Sequence, residues 1–319
     1  MNPSITESLR HQDLPDSSLY IVSTPIGNMA DITFRAAYVL GQVDGIACED
    51  TRHTLHLLNF LGIQKPLLAI HDHNEVIASQ KLLGLISLGQ RWAYVSDAGT
   101  PGISDPGAKL VNTMIQAGKR VIPIPGVSAV SAALSVSGIT TIHSEGRFQF
   151  FGFLPTKGKD RKALLQKIYT SSLASVFFES PQRIKETLSE IGVALKNETR
   201  TILIGRELTK KFETLHYVLS SQMLSWIKDD HLLKGEFCII VEGFSAPSES
   251  SEDSQEVIVN SHHLVSILSS YLGSKQIAEV LSQSGVLSKN QAYQLALELK
   301  NSGVSQGLLL PDVDQIIPF

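Results

Sequence analysis

Residues 95–107 read Val95-Ser96-Asp97-Ala98-Gly99-Thr100-Pro101-Gly102-Ile103-Ser104-Asp105-Pro106-Gly107, directly after an apolar run. Glycines let backbone groups approach a ligand closely. Prolines stiffen a loop, so less freedom is lost on binding. Asp97 and Asp105 add carboxylates, and Thr100 and Ser104 add hydroxyls. In open α/β sheets ligands sit beyond the carboxyl ends of strands, and this loop follows a strand pattern and precedes a helix pattern. The loop as a whole therefore reads as a binding loop. Asp105 taken alone reads as a cap for the following helix.

Four more stretches carry chemistry. Ser23-Thr24-Pro25-Ile26-Gly27-Asn28 has neither GxGxxG nor GK[ST], so it suits backbone contact with a ligand that brings no phosphate; a plain tight turn is the alternative. In Ala47-Cys48-Glu49-Asp50-Thr51-Arg52-His53, four ionisable groups crowd a helix start. Glu49 or Asp50 suits that position, whereas Arg52 opposes the helix dipole, which hints at another task. In His71-Asp72-His73-Asn74-Glu75 the His-x-His could ligate a metal, but no other His/Cys cluster completes a site. Polar substrate contact is the preferred reading, and no metal is expected. In residues 151–162 the aromatics Phe151 and Phe153 run into Lys157, Lys159, Arg161 and Lys162, a mixture suited to phosphate contact and base stacking. The stretches 178–183, 205–210 and 234–236 each set charge beside an apolar strand, a weak signal alone.

These loops need a frame. The chain has 319 residues, of which 43% are hydrophobic and 18% charged, enough for two domains and an extra piece. Short apolar runs at 19–23, 45–48, 67–70, 92–96, 121–124, 148–153, 175–178, 201–205 and 237–241 predict strands. Several are apolar throughout, as strands covered on both faces should be. Helix patterns lie between them: one capped by Asp31, then 51–61, 75–88 and 106–117. The alternation predicts an α/β fold. The expected organisation is a flexible tail over 1–18, an N-terminal α/β domain over 19–125, a second α/β domain over 126–243, an acidic Ser-rich linker over 244–258 and a small helical domain over 259–319. Within the last, 262–272, 275–284 and 289–300 read as helices.

Composition bounds the setting. No apolar run approaches the ~20 residues of a membrane span. The two cysteines, Cys48 and Cys238, lie far apart without CxxC spacing, so free thiols in a reducing, cytoplasmic compartment are expected. A net charge of −4 argues against a protein that coats nucleic acid but leaves room for a local basic site.

Taken in order, "LYIVSTPIGNMADIT", "CEDTRHT", "HDHNE", "VSDAGTPGISDPG", "PIPGVSAVSAAL", "FGFLPTKGK", "ESPQRI" and "GRELTK" resemble the tetrapyrrole-methylase fold family, and within it the branch that methylates ribosomal RNA. The likeness covers about 19–243. It implies two α/β domains with S-adenosylmethionine in the cleft between them, a homodimer, and methylation of the ribose 2′-hydroxyl of a decoding-centre cytidine in 16S rRNA within the small ribosomal subunit. Carried over by motif, cofactor contacts fall on Pro25, Gly27, Asp97, Gly99, Thr100 and Ile103. Ser128 and Ala129 follow where a helix begins, and Phe178, Glu179, Gly235 and Glu236 come from the second domain. Candidates for the base that accepts the hydroxyl proton are Glu49, Asp50, His53, His71, His73 and Asp97, with Glu49 and Asp50 preferred by strand-end logic. Arg52, His71, Asn74, Lys157, Lys159, Arg161 and Arg206 are expected to meet RNA. The long acidic linker and a divergent tail depart from the family pattern. A methylase of a tetrapyrrole-like small molecule and a non-catalytic RNA-binding assembly factor are the alternatives.

Overall fold

The computed structural model describes residues 3–71, 74–139, 146–228 and 233–244, and in the C-terminal part 265, 268–269, 272–283 and 292–297. The chain divides into two compact units, Met1–Ser245 and Ala246–Phe319.

The first unit holds two five-stranded sheets. Strands β1 (Ser18–Val22), β2 (Gly45–Cys48), β3 (Leu67–Ala69), β4 (Arg91–Val95) and β5 (Arg120–Ile124) form a parallel sheet in the order β3-β2-β4-β1-β5. The strands β1, β2 and β4 are largely buried and apolar because helices cover both faces. Tyr20, Ile46 and Val95 pack toward α2 (Phe34–Gln42) and α3 (Thr51–Leu61). Leu19, Ala47 and Tyr94 pack toward α4 (Glu75–Ser87) and α5 (Ala108–Gln116). Ile21 pairs with both Tyr94 and Pro123, so the loops leaving β1, β4 and β5 emerge level at one edge.

Two local expectations are corrected. Helix α2 is capped by Thr33, whose hydroxyl accepts from the Ala36 amide at 3.0 Å. Asp31 falls two residues early, in a 3-10 turn over Met29–Asp31. The N-terminal segment expected to fray carries helix α1 (Pro3–Arg10), with Leu9 buried. The side-chain carbonyl of Gln12, just beyond it, accepts from Arg35 Nε at 2.8 Å.

The second sheet runs β6 (Phe148–Phe153), β7 (Ala174–Glu179), β10 (Phe237–Val241), β8 (Thr201–Arg206), β9 (Thr214–Leu219), and only β6 and β7 are parallel. One face packs on α8 (Ile184–Ala194) through Leu188 and Ile191, on α7 (Gly158–Thr170) through Ile168, and on the short α9 (Met223–Trp226). The other face, Val176, Leu203 and Ile240, receives Val130 and Ala133 of α6 (Ala129–Ser137). Helix α6 thus leaves the first sheet's last strand yet packs on the second sheet. Edge strand β9 was not anticipated from the sequence.

In the second unit, α10 (Ser274–Gln283) buries Ile277, Ala278 and Leu281 with Val265, Ala292 and Leu295. It matches the pattern expected over 275–284. The other two expected helices are described only in part, and the linker beyond Phe244 lies outside the described residues. Among the described residues no helix is long and apolar enough to cross a membrane.

Candidate functional site

Three strand-end loops of the first sheet are knitted together. Thr24 and Gly99 exchange backbone hydrogen bonds of 2.8 and 3.1 Å. The Ser23 and Thr100 hydroxyls share a hydrogen bond of 2.8 Å, and Thr100 Oγ1 also lies 3.0 Å from the Val127 carbonyl. Glycine is required where these loops touch. Gly99 has φ +80°, and a Cβ there would lie 3.3 Å from Ile26 Cγ2. A Cβ at Gly126 would lie 2.8 Å from that of Ser23.

Between these loops and the second sheet lies a cavity of about 410 Å³. Ile26, Gly99, Thr100 and Ile103 line one side, and Ser128 and Ala129 bring the first turn of α6 to it. Phe153, Phe178, Leu208 and Phe237 close the other side. Phe178 meets both Phe150 and Phe153 edge-on, with ring centroids 5.1 and 5.5 Å apart. Apolar walls around a few polar groups, at this volume, are the usual make-up of a small-molecule site.

Of the residues expected to contact a cofactor, Gly99, Thr100, Ile103, Ser128, Ala129, Phe178, Glu179 and Glu236 lie on this wall. Pro25, Gly27, Asp97 and Gly235 do not. Asp97 turns toward the 47–53 loop: it accepts from the Asp50 amide at 3.1 Å, and its carboxylate lies 3.9 Å from His53 Nδ1. Gly27 clears a path for Lys210, and Gly235 (φ +110°) clears one for Glu207. Lys210 Nζ in turn binds Glu207 at 3.1 Å and Glu236 at 2.7 Å. Glu179 reaches the wall, but its carboxylate is spent inside the domain. It accepts from the Ser180 amide at 2.8 Å and the Thr187 hydroxyl at 2.7 Å, and pairs with Arg183 at 2.6 Å.

Asp105 is the main residue that sequence reasoning misplaced. Helix α5 starts behind Gly107 (φ +121°) with no side-chain cap, so Asp105 is not its cap. Its side chain instead lines the cavity. Burial pushes its carboxyl up to about 6, against a hydrogen bond from Ser96, and nearby Asp97 adds to the rise. The preceding Ser104 holds φ +63°, a costly backbone state for a side-chain-bearing residue. Ser104 Oγ fills the space where Gly152 lacks a Cβ, 2.6 Å from that position. Leu208, Phe237 and Cys238 were also missed as wall residues. Leu208 sits inside the noted GRELTK stretch, whereas the other two read only as strand. Burial pushes the Cys238 thiol up to about 12, so it stays protonated.

The other expected residues fall outside the cavity. None of Glu49, Asp50 and His53 lines it. Asp50 caps α3, accepting from the Arg52 amide at 2.8 Å, and its carboxylate pairs with the Arg52 guanidinium at 2.6 Å. These bonds hold it well below the usual carboxylate range, which makes it a weak base. Arg52 itself is 89% exposed. Asn74 braces its own loop, accepting from the His71 amide at 2.9 Å and donating to the Ala69 carbonyl at 3.1 Å. Asp72 and His73 lie outside the described residues. No metal-holding group of three or more His, Cys, Asp or Glu occurs among the described residues.

Two arginines expected to meet RNA are committed elsewhere. Arg161 is 4% exposed. It binds Glu190 through Nη2 at 2.5 Å, Thr187 at 2.8 Å and the Pro155 carbonyl at 3.2 Å. Arg206 donates to the carbonyls of Lys234 and Phe212 and so fixes its own loop. Lys157 and Lys159 are exposed and follow β6, whose last residue, Phe153, is on the cavity wall.

Residues 18–222 match the model of the Tetrapyrrole (Corrin/Porphyrin) Methylases. The chain is 42% identical over 292 residues to the Ribosomal RNA small subunit methyltransferase I of Escherichia coli O157:H7, covering 91% of this chain and 98% of that protein. It is 43% identical over 281 residues to the protein of that name from Vibrio cholerae serotype O1, covering 88% and 94%. In fold it resembles the crystal structure of uroporphyrin-III C-methyl transferase from Thermus thermophilus complexed with S-adenyl homocysteine, with a TM-score of 0.50 and 15% identity over 70% of this chain and 97% of that one. The chain therefore belongs to the tetrapyrrole methylase family.

Proposed function

We propose that this protein uses S-adenosylmethionine to methylate ribosomal RNA of the small subunit, at a cytidine ribose 2′-hydroxyl. The names of its relatives support the RNA substrate. The finer target, the nucleotide and the hydroxyl, rests on the motif resemblance. The cavity carries the donor reading. At Gly99 the wall is bare backbone, in a conformation that side chains rarely adopt. The first turn of α6 offers backbone N–H groups that no side chain caps, a favourable place for a carboxylate. Phe153, Phe178 and Phe237 supply flat apolar surface for a purine. An amino-acid end and a nucleoside end both find partners here.

When bound, S-adenosylmethionine supplies an electrophilic methyl group. The protein's share is alignment of the two reactants and removal of the hydroxyl proton. Thr100 stiffens the donor side by tying the β1 and β5 loops together. Arg52, His53, Lys157 and Lys159 are the exposed groups we assign to the RNA backbone. The two halves, 19–125 and 126–243, form the cleft, a division supported by Val130 and Ala133 of α6 packing in the core of the second sheet. A cytoplasmic homodimer completes the reading by family resemblance.

The test is transfer of labelled methyl from S-adenosylmethionine to small ribosomal subunits taken from a strain lacking this protein. Label at a cytidine ribose is the expected result. Measurable donor binding with no label on subunits or free rRNA overturns the RNA assignment in favour of a small-molecule acceptor.

A further inference from the structure

A second cavity, about 680 Å³, adjoins the first. Ile103, Ser104 and Ser128 line both, so one wall separates them. The remaining lining of the second cavity includes Phe148, Phe150, Ser131 and Ser135, and among the described residues none of its lining is charged. An exposed ring, Phe148, and a half-buried one, Phe150, beside hydroxyls suit an unstacked nucleoside. Phe178, on the first cavity, lies edge-on to Phe150, on the second. Asp105 lines the first cavity next to the shared wall, held there by the strained turn at Ser104 between Pro101 and Pro106.

Resting on the methyltransferase reading above, we propose that the second cavity receives the acceptor nucleoside and that Asp105, at the seam of the two cavities, accepts the proton of the ribose hydroxyl. The hydroxyl oxygen keeps the O–H electron pair and forms the new bond to the methyl carbon. The S–C pair stays on the departing thioether, and the proton ends on the Asp105 carboxylate. Glu49, His53 and His71 do not line the first cavity, and the other competing groups are held otherwise. Asp50 is locked to Arg52, Asp97 faces Asp50 and His53, and Glu179 is spent on Arg183 and Thr187. Glu236 is paired with Lys210, and Cys238 stays protonated. Tyr94, which faces Asp105 from β4, has a phenol that burial pushes up. The neighbour that tunes Asp105 is therefore Asp97, against the Ser96 hydrogen bond.

The test compares wild type, Asp105→Asn and Ser135→Trp for S-adenosylmethionine affinity by calorimetry and for single-turnover methylation of small subunits across pH 5–8. Asp105→Asn should bind the donor within about twofold of wild type, which also shows that it folds, yet methylate about 10²–10⁴-fold more slowly. The wild-type rate should rise with pH through an apparent value near 6, as the carboxylate forms, and the variant's residual rate should lose that limb. Ser135→Trp should keep donor affinity and raise KM for subunits at least about tenfold, as a filled pocket would. Asp105→Asn at wild-type rate, or with donor affinity falling in step with activity, overturns the base assignment. An unchanged KM in Ser135→Trp overturns the nucleoside pocket. A wild type that binds donor but labels no RNA overturns the parent reading instead, and this inference with it.

Discussion

The side chain of Lys210 crosses Gly27 so closely that a Cβ on Gly27 would lie 2.4 Å from Lys210 Cγ. One residue belongs to a loop of the first sheet and the other to the loop between β8 and β9. Gly27 is thus a place where loops of the two sheets touch, and its bareness makes room for Lys210.

Gly27→Ala should therefore destabilise the protein by about 1–3 kcal/mol, as overpacking does. Lys210→Ala should remove most of that penalty in the double variant. Denaturant melts of the four proteins give the coupling; additive losses would show that the close approach is not the cause.

Asp105 bears on stability as well as chemistry. Its folded value is raised, so the folded state binds its proton more tightly than the unfolded chain does. That contribution is fully present below about pH 4 and is lost as pH rises through about 6. Asp105→Asn should then be more stable than wild type at pH 8, on the order of 1 kcal/mol after allowance for its partial exposure. At pH 4 the gap should vanish. Urea melts at the two pH values decide it, and an equal gap at both would refute the linkage.

Lys157 and Arg161 sit in one basic run but should behave oppositely. Lys157→Ala and Lys159→Ala should leave the melting temperature unchanged and reduce the salt slope of RNA binding by about 1 for each phosphate no longer neutralised. Arg161→Ala should cost as much as about 3–5 kcal/mol, the figure for a broken buried pair, lessened by Arg183, which still faces Glu179. Filter binding across a salt series, beside thermal melts, separates the two outcomes.

Thr33→Ala should cost α2 about 1 kcal/mol through loss of its cap, and Asp31→Ala markedly less. Chemical denaturation of the two single variants tests which residue begins the helix.

The parallel sheet was readable from the sequence almost to the residue. Strands such as 45–48 are buried on both faces, so apolarity alone marks them. Strand β9 escaped because it lies at an edge, with only Val218 buried and polar His216 and Tyr217 beside it. The binding loop at 95–107 announced itself through its glycines and prolines. What each side chain there does was less readable. Asp105 has the right offset for a cap, and only the turn at Gly107 takes that role away. Arg161 looks solvated among lysines because Glu190 and Thr187, which hold it, lie a helix away in sequence. At Gly27 the sequence does not show that Lys210, far along the chain, lies over it.

Between Ile124 and Ala129 only Pro125, Gly126, Val127 and Ser128 join β5 to α6. Four residues reach at most about 14 Å, Pro125 fixes one torsion, and the Val127 carbonyl is bound by Thr100. The link is a short spine, pinned at Val127. Breathing of the cleft must be a rotation about that spine rather than a parting of its covers, and since Ser128 and Ala129 sit on the cavity wall, every such rotation turns the wall with it.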